Sequence, residues 1–502
     1  MRPTFMGFET ASRGMMAQQK ALDIVGNNVG NIGVTGYTRQ RVDMVSMSLS
    51  NTNARFSANA VGRAGQGVNV TGVSQIRDPF LDKRFREEYA DVGYYSKMVD
   101  VLGDIEDGLN EIEPSNMTEA LESFKIAWTK MQKEEGKDPT ASSTLLASAR
   151  TLTQVFKQLD SKINSVWEQQ KYDLQINTNS VNSILSRIAD LNDTIQKESF
   201  AAEGTGSTSQ PNELLDARNV LLDQLSEFGD IQTTLNPDNT VTVKMGASGH
   251  VVVDGKWSEE ITMVQPAGSQ TVSVKWQTEG APVDFNTGSI KASLDMLNGR
   301  GTNAQPMRGE TFENGVLYYR DTIDKLAVNV AKTFNSVIAE YDNTGKQTGL
   351  KTLFSFTGDG TSTAGNITVN KEWEANSNYI LENVHKPGEG LGDTAFADRA
   401  VAAFSEKMSY GGFTGTFSEY VSYYTVSQLG NQVTHAQSRL ESCSAISDKI
   451  LSNISAVSGV SMEEEGVDMV QYTKAYNAMG RVMTALDEAL DTLINKTGLV
   501  GR

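Results

Sequence analysis

The sequence predicts an α+β, mainly α, nested multidomain chain. N- and C-terminal helices form a coiled coil, a long helical-bundle domain follows inward, and a β-rich domain is inserted in the middle. Three observations predict this: apolar stripes at 3-4 spacing at both ends of the chain, further helical stripes in both halves, and a switch to alternating period near residue 231. At 502 residues the chain exceeds what one hydrophobic core sustains, so several domains are expected.

At the N-terminus Phe8, Ala11, Met15, Gln18, Leu22, Val25, Val29 and Ile32 form a seam that only Gln18 interrupts. Met469, Tyr472, Tyr476, Met479, Met483, Leu486, Leu490 and Leu493 repeat the device over 469–495 without a polar residue. Glu463, Glu464 and Glu465 stand at the start of that helix, where carboxylates favour the positive end of its dipole. Fixing a backbone costs roughly 1–2 kcal/mol per residue, while a buried Leu, Met or Val returns roughly 1.5–3 kcal/mol. Eight buried positions per helix do not cover that cost without further neighbours. The two termini are therefore expected to be mobile in the free monomer and to order when other subunits cover them. The alternative, in which both helices complete a core in the middle domain, stays open.

Inward, Leu81, Phe85, Val92, Tyr95, Val99, Leu102, Ile105, Leu109 and Ile112 run to a stop at Pro114. Asn116 and Glu119 then cap a helix through Met131. After a break at 136–139, stripes at Leu152–Val166 and Val181–Ile195 predict a helical rod with an interruption near 169–175. The polar stretch 203–210 reads as a loop, followed by a helix from Asn212 to Phe228 that Gly229 ends. Alternation in 240–244, 250–254 and 271–276 predicts a small β domain over 231–285. A helix over 312–341, strands near 351–356 and 366–370, and a helical stripe from Leu429 to Val457 complete the pattern. Cys443 lies on that last stripe as a buried, unreactive thiol. The expected domains are 1–45 with 458–502 (terminal coiled-coil axial domain), 46–230 with 312–345 and 400–457 (helical core), and 231–311 with 346–399 (β-rich inserted region).

Composition narrows the function classes. A net charge of −18 without a Lys/Arg cluster repels nucleic acid and anionic membranes. No stretch approaches the 18 apolar residues of a membrane helix, and the N-terminus lacks the apolar run of a cleavable secretory signal. His250, His385 and His435 are too scattered for a metal site. The Gly-rich segments 61–70 and 357–365 match no phosphate-binding pattern and read as hairpin turns. No catalytic, cofactor-binding or metal-binding residue is nominated, and no cofactor is expected.

The segment NNVGNIGVTGYTRQ, with Asn27, Asn28, Asn31, Thr35, Gly36, Tyr37 and Arg39, resembles the signature shared by flagellar rod, hook and hook-associated axial proteins. From the residues alone, Asn and Gly there supply a helix stop and a turn. Tyr37-Thr38-Arg39-Gln40 and the later segments GQGVNVTGVSQIRDPFLDKRFREE, PNELLDARNVLLDQLSEF and SGVSMEEEGVDMVQYTKAYNAMGRVMTALDEALDTLIN are similar to the hook–filament junction branch of that family. One departure is glycine at 26 and 30, which weakens a helix by about 1 kcal/mol relative to Ala and predicts an earlier end to the first helix.

The resemblance implies a structural subunit that self-assembles into a ring on the distal hook through its terminal helices. It implies contacts with hook protein and a second junction protein (hook-associated protein 3), and an export chaperone covering the C-terminal helix. It also implies type III export to the extracellular flagellum, with no membrane insertion. The assembly interface is then expected on Phe8, Met15, Leu22, Val25, Val29 and Ile32 facing Met469, Tyr472, Tyr476, Met479, Met483, Leu486, Leu490 and Leu493. A hook or rod subunit would share both terminal patterns but lack the 212–228 helix. A peptidoglycan hydrolase or a secreted adhesin is the alternative of a different class.

Overall fold

The computed structural model describes residues 6–47, 67–110, 117–133, 139–204, 210–301, 313–358, 360–384, 395–410 and 413–496. The chain opens with α1 (Met6–Gly30), then the antiparallel hairpin β1 (Gln40–Ser46) and β2 (Val68–Gln75), paired from Gln40 with Gln75 to Ser46 with Val68 and bulged at Asp43/Met44. Three helices follow, α2 (Pro79–Asn110), α3 (Met117–Lys133) and α4 (Pro139–Gly204), and then α5 (Asn212–Phe228). β3 (Ile231–Leu235), β4 (Val241–Met245), β5 (His250–Asp254) and β6 (Trp257–Ser258) form an antiparallel meander in that order, and β7 (Ile261–Val264) pairs with β8 (Ser273–Trp276). Beyond them lie α6 (Ser289–Asn298), α7 (Val316–Phe334), the pair β9 (Ala339–Tyr341) and β10 (Gln347–Leu350), and the pair β11 (Phe354–Phe356) and β12 (Ile367–Val369). The remainder comprises α8 (Lys371–Ala375), α9 (Ala395–Ala403), the hairpin β13 (Met408–Tyr410) and β14 (Phe413–Gly415), α10 (Phe417–Ser422), α11 (Leu429–Ser458) and α12 (Met462–Asp491). The mainly helical α+β class is as the sequence predicts, with small antiparallel sheets between long helices.

Contacts divide the chain into two compact units: residues 1–89, 181–260 and 443–502, and residues 90–180 and 261–442. In the first, the second half of α4 buries Val181, Leu185, Ile188 and Ile195, and the β3–β6 sheet buries Val243, Val252 and Val253. Asn192 ties helix to sheet: its Oδ1 accepts the Val241 N–H at 3.0 Å, and its Nδ2 donates to the carbonyls of Val241 at 2.9 Å and Gly255 at 3.1 Å. In the second unit an aromatic cluster forms the core. Phe124 of α3 lies 4.9 Å from Phe334 of α7, which lies 5.0 Å from Phe404, and Trp128 stacks on Phe334.

Four local expectations are corrected. The rod is uninterrupted at 169–175: no Gly or Pro occurs between Pro139 and Gly204, and Trp167, Gln170 and Leu174 are buried there. The first helix runs through Gly26 to Gly30, so glycine does not end it early, and Ile32 lies beyond the helix in a turn. The helix expected to reach residue 341 ends at Phe334. Asn335 turns the chain, its Oδ1 accepting the N–H groups of Leu353 and Phe354 while its Nδ2 donates to the Phe354 carbonyl. α6 is a helix inside a region read as β-rich. Asn116, His385 and most of segments 61–70 and 203–210 lie outside the described residues.

In the second unit, burial pushes the Asp324 carboxyl up to about 6; the Ala364 N–H donating to it at 2.7 Å opposes this, and the nearby Asp160 carboxylate adds to it. A raised folded-state value means the folded protein holds this proton more tightly than the unfolded chain. The contribution is full below the ordinary carboxyl value and is lost as pH rises through about 6. Stability toward urea is therefore expected to fall by on the order of 2 kcal/mol between pH 4 and 7 from this group. Asp324→Asn, which keeps the acceptor and removes the charge, should flatten that part of the profile, as denaturation midpoints at the two pH values would read.

Candidate assembly interface

α1 and α12 pack antiparallel, and their register can be read from side chains. Gly7 lies against Leu486, Gly14 against Met479, and Asn28 donates to Glu465 at 3.1 Å. Seven residues forward on α1 match seven back on α12 throughout, so Ala21 falls opposite Tyr472. This heptad match lets large side chains of one helix seat in gaps of the other.

The gaps come from small residues. Ala11, Gly14, Ala17 and Ala21 are buried, and a Cβ at Gly14 would stand 3.2 Å from Met479 Sδ. Of the residues expected at the interface, Val25 is buried, and Phe8, Met15, Leu22 and Val29 are half-buried beside the small ones. Ile32 is exposed after the helix. On α12, Tyr472, Tyr476, Met479, Met483, Leu486 and Leu490 are half-buried, while Met469 and Leu493 are exposed. The pair thus covers one α12 stripe partly and leaves Val467, Val470 and Val482 open on another face.

At the base of the pair the Asn-rich motif forms a polar hub. Asn28 is 1% exposed and uses its full hydrogen-bonding capacity. Its Nδ2 donates to the Gln40 carbonyl at 2.9 Å and to Glu465 Oε2; its Oδ1 accepts the Gln40 N–H at 3.0 Å and the Tyr37 hydroxyl at 2.8 Å. Burial, with the Asp216 carboxylate nearby, pushes the Tyr37 phenol up to about 12, so it remains a donor. Asn31 folds back to give its Nδ2 to the Asn27 carbonyl and side chain, both at 2.9 Å, closing the helix end. Thr35 lies exposed in the turn, and Gly36 has φ +81° with Val220 so close that a Cβ would sit 2.3 Å from its Cγ2.

Arg39 joins the motif to α12. Its Nε donates to Glu465 Oε1 at 2.6 Å, and its other nitrogens reach Glu464 at 2.6 Å and Asp468 at 3.3 Å. Glu465, 1% exposed, is the buried member of the acidic run, so the three glutamates serve more than the helix dipole. Ser461 caps α12 by accepting the Glu464 N–H, and the Arg39 N–H donates to the Ser458 carbonyl at 2.9 Å. Thr38 joins the motif to α5: its N–H and hydroxyl donate to the Asp216 carboxylate at 3.1 and 2.6 Å. Arg77, paired with Asp82 at 2.5 Å, lies 3.9 Å from the same carboxylate. Sequence reading missed Asp216, Glu465 as a buried partner, and Arg77; Asp216 on the apolar side of α5 was the one available signal.

Residues 102–354, half of the chain, match the family described as "Flagellar hook-associated protein FlgK helical domain". The chain belongs to that family. The two ends match further flagellar families, "Flagella basal body rod protein" over 8–38 and "Flagellar basal body rod FlgEFG protein C-terminal" over 452–496, the segments that hold the hub and the helix pair. Flagellar hook-associated protein 1 of Bacillus subtilis (strain 168) is 29% identical over 531 aligned positions, covering 100% of each chain. The protein of the same description from Salmonella typhimurium is 27% identical over 65% of this chain and 55% of its own length, so the chain spans about half of that longer relative. A solved flagellar hook junction protein FlgK from Burkholderia pseudomallei aligns at 17% identity with a TM-score of 0.42, covering 55% of this chain and 47% of that one. Membership of the FlgK family makes the chain a structural component of the flagellum.

Asn28→Asp is isosteric but removes two donors and sets a carboxylate against Glu465 and the Gln40 carbonyl. The expected loss is about 3 kcal/mol. Hydrogen exchange of residues 37–46 and 461–468 in the full chain should accelerate about a hundredfold, with the distal end of α12 little changed.

Proposed function

We propose that this chain is the structural subunit that joins the flagellar hook to the filament, assembling as a ring through its terminal helices and making or breaking no bond. The observation that carries the proposal is the incompletely covered α1–α12 pair. Val467 is 66% and Val470 53% exposed along a helix whose opposite stripe is only half-buried. A two-helix pair with apolar residues on two faces of one partner has its lowest free energy when neighbouring helices cover the second face. This supports the expectation that the termini order fully only in the assembly, and the proposal places 1–45 with 458–502 in the axis. The residues expected at the interface, Phe8, Met15, Leu22, Val25, Val29 and Ile32 with Met469 through Leu493, are proposed as its contacts.

The partners follow from that role: further copies of the chain, the hook below, a second junction protein above, and a chaperone that shields the apolar α12 before type III export. No helix among the described residues is long and apolar enough to cross a membrane. A hook or rod subunit is the nearest competitor. The Thr38–Asp216 interlock argues against it, because it builds α5 into the motif.

Deleting the gene and imaging the cells by negative-stain electron microscopy tests the role. Hooks without filaments, with flagellin in the medium, are expected; absent hooks would indicate a rod or hook subunit, and normal filaments would refute the proposal.

Leu486→Asp places a charge against Gly7 in the helix pair. It should abolish incorporation into flagella while the purified chain keeps its melting transition; a variant that assembles would remove this interface from the mechanism.

A further inference from the structure

The helix pair gathers methionines. Of the chain's 18, α1 carries Met6, Met15 and Met16, and α12 carries Met462, Met469, Met479 and Met483. Met16, Met462 and Met469 stand largely in solvent, 66%, 55% and 43% exposed. Met479 differs. It is half-buried, with its thioether against Gly14. From the point that a Cβ at Gly14 would occupy, Met479 Sδ lies 3.2 Å, Cγ 3.3 Å and Cε 3.6 Å away. The sulfur and both of its carbons therefore rest on bare backbone, and Gly14 is the recess they fill.

A thioether is an apolar filler that a peroxide turns polar. The sulfur lone pair attacks one oxygen of hydrogen peroxide, and an S–O bond forms as the O–O bond breaks. The sulfur gives up two electrons, and after proton transfer the second oxygen leaves as water. The sulfoxide oxygen is a strong acceptor, and the recess has nothing to offer it. Gly14 and the residues buried one turn to either side, Ala11 and Ala17, have no side-chain donor. The backbone N–H groups of that stretch of α1 are taken by its own helical bonds. Keeping the sulfoxide in place would bury an unpaired polar group, so it leaves the recess for water.

We propose that Met479 is a peroxide-sensitive modification site whose oxidation opens the distal part of the α1–α12 pair. Met462 and Met469, on the same helix, oxidise without that consequence, because their side chains stand largely in solvent before and after. The polar hub at the base of the pair holds no methionine sulfur among its bonds, so it stays closed. The opening needs only the free chain and holds whatever position that chain takes in the flagellum.

The test treats purified full-length chain with increasing hydrogen peroxide. Trypsin, cutting after Lys474, Arg481 and Lys496, leaves Met479 alone in one peptide and Met483 alone in the next, so a gain of about 16 Da reports each sulfur separately. Oxidation of Met479 is expected to bring about tenfold faster hydrogen exchange over 475–490, with 461–468 little changed. A dose that converts only Met462 and Met469 should leave exchange as it was. Met479→Leu fills the recess without a sulfur and should keep 475–490 protected at the higher dose. Unchanged exchange once Met479 is oxidised overturns the proposal, as does Met479 left unmodified by peroxide in large excess over that needed for Met469. Equal acceleration in Met479→Leu would move the effect to another methionine and overturn it too. An unoxidised chain with no protection over 475–490 has no closed pair to open, which also refutes it. Should Met479→Leu fail to fold, the dose comparison on the wild-type chain decides alone.

Discussion

The fourfold satisfaction of Asn28 is the constraint on which the rest of the first unit depends. A buried amide that lost one partner would leave a donor or acceptor without water, so all four of its contacts have to form together. They come from the hairpin through Gln40, the turn through Tyr37 and α12 through Glu465. Glu465 in turn is tolerable at 1% exposure only because Arg39 and Asn28 both meet its carboxylate. The turn between Asn31 and Tyr37 must bring Tyr37 back over the helix end, and Gly36 at positive φ against Val220 is what allows it. A short motif thereby locks residues more than four hundred positions apart.

From that base the helix pair extends with Val25, Ala21, Ala17 and Ala11 of α1 buried along its length. α1 contributes small residues, so the two backbones approach closely and Met479 and Leu486 fill the gaps by dispersion contact. Close approach of two helices buries the facing stripes and nothing else. The arrangement is anchored by polar bonds at one end and held by packing along its length. The open face of α12 carries Val467, Val470 and Val482, apolar residues that the pair itself does not cover.

This division explains what was legible in the sequence. The α12 stripe was plain because Tyr, Met and Leu carry its packing. On α1 a search for large apolar residues passes over Gly14, Ala17 and Ala21, which are buried against α12 by being small. Long helices were legible by period, but the join at 169–175 was not. Gln169, Gln170 and Gln175 look like a linker in one dimension, whereas in the fold Gln170 donates to Asp104 at 2.6 Å. The end of α7 was set by Asn335, whose amide satisfies a distant strand, and no local pattern encodes such a bond. The motif's residues were recognisable, yet a reading of Asn and Gly as turn formers could not show that Asn28 faces Glu465.

The same geometry gives a physical reason for the motif and α5 to occur together. Thr38 presents two donors to one carboxylate, and burial pushes Asp216 up despite those bonds, so the carboxylate is held at a net cost that only its partners offset. A chain with this turn but no α5 would leave the Thr38 N–H, which is buried, without an acceptor. A chain with α5 but a different turn would bury Asp216 without donors. Either mismatch leaves a buried polar group unpaired, at a cost of a few kcal/mol. The turn and α5 are therefore two sides of one contact, and the sequence segments that carry them are joined in the fold.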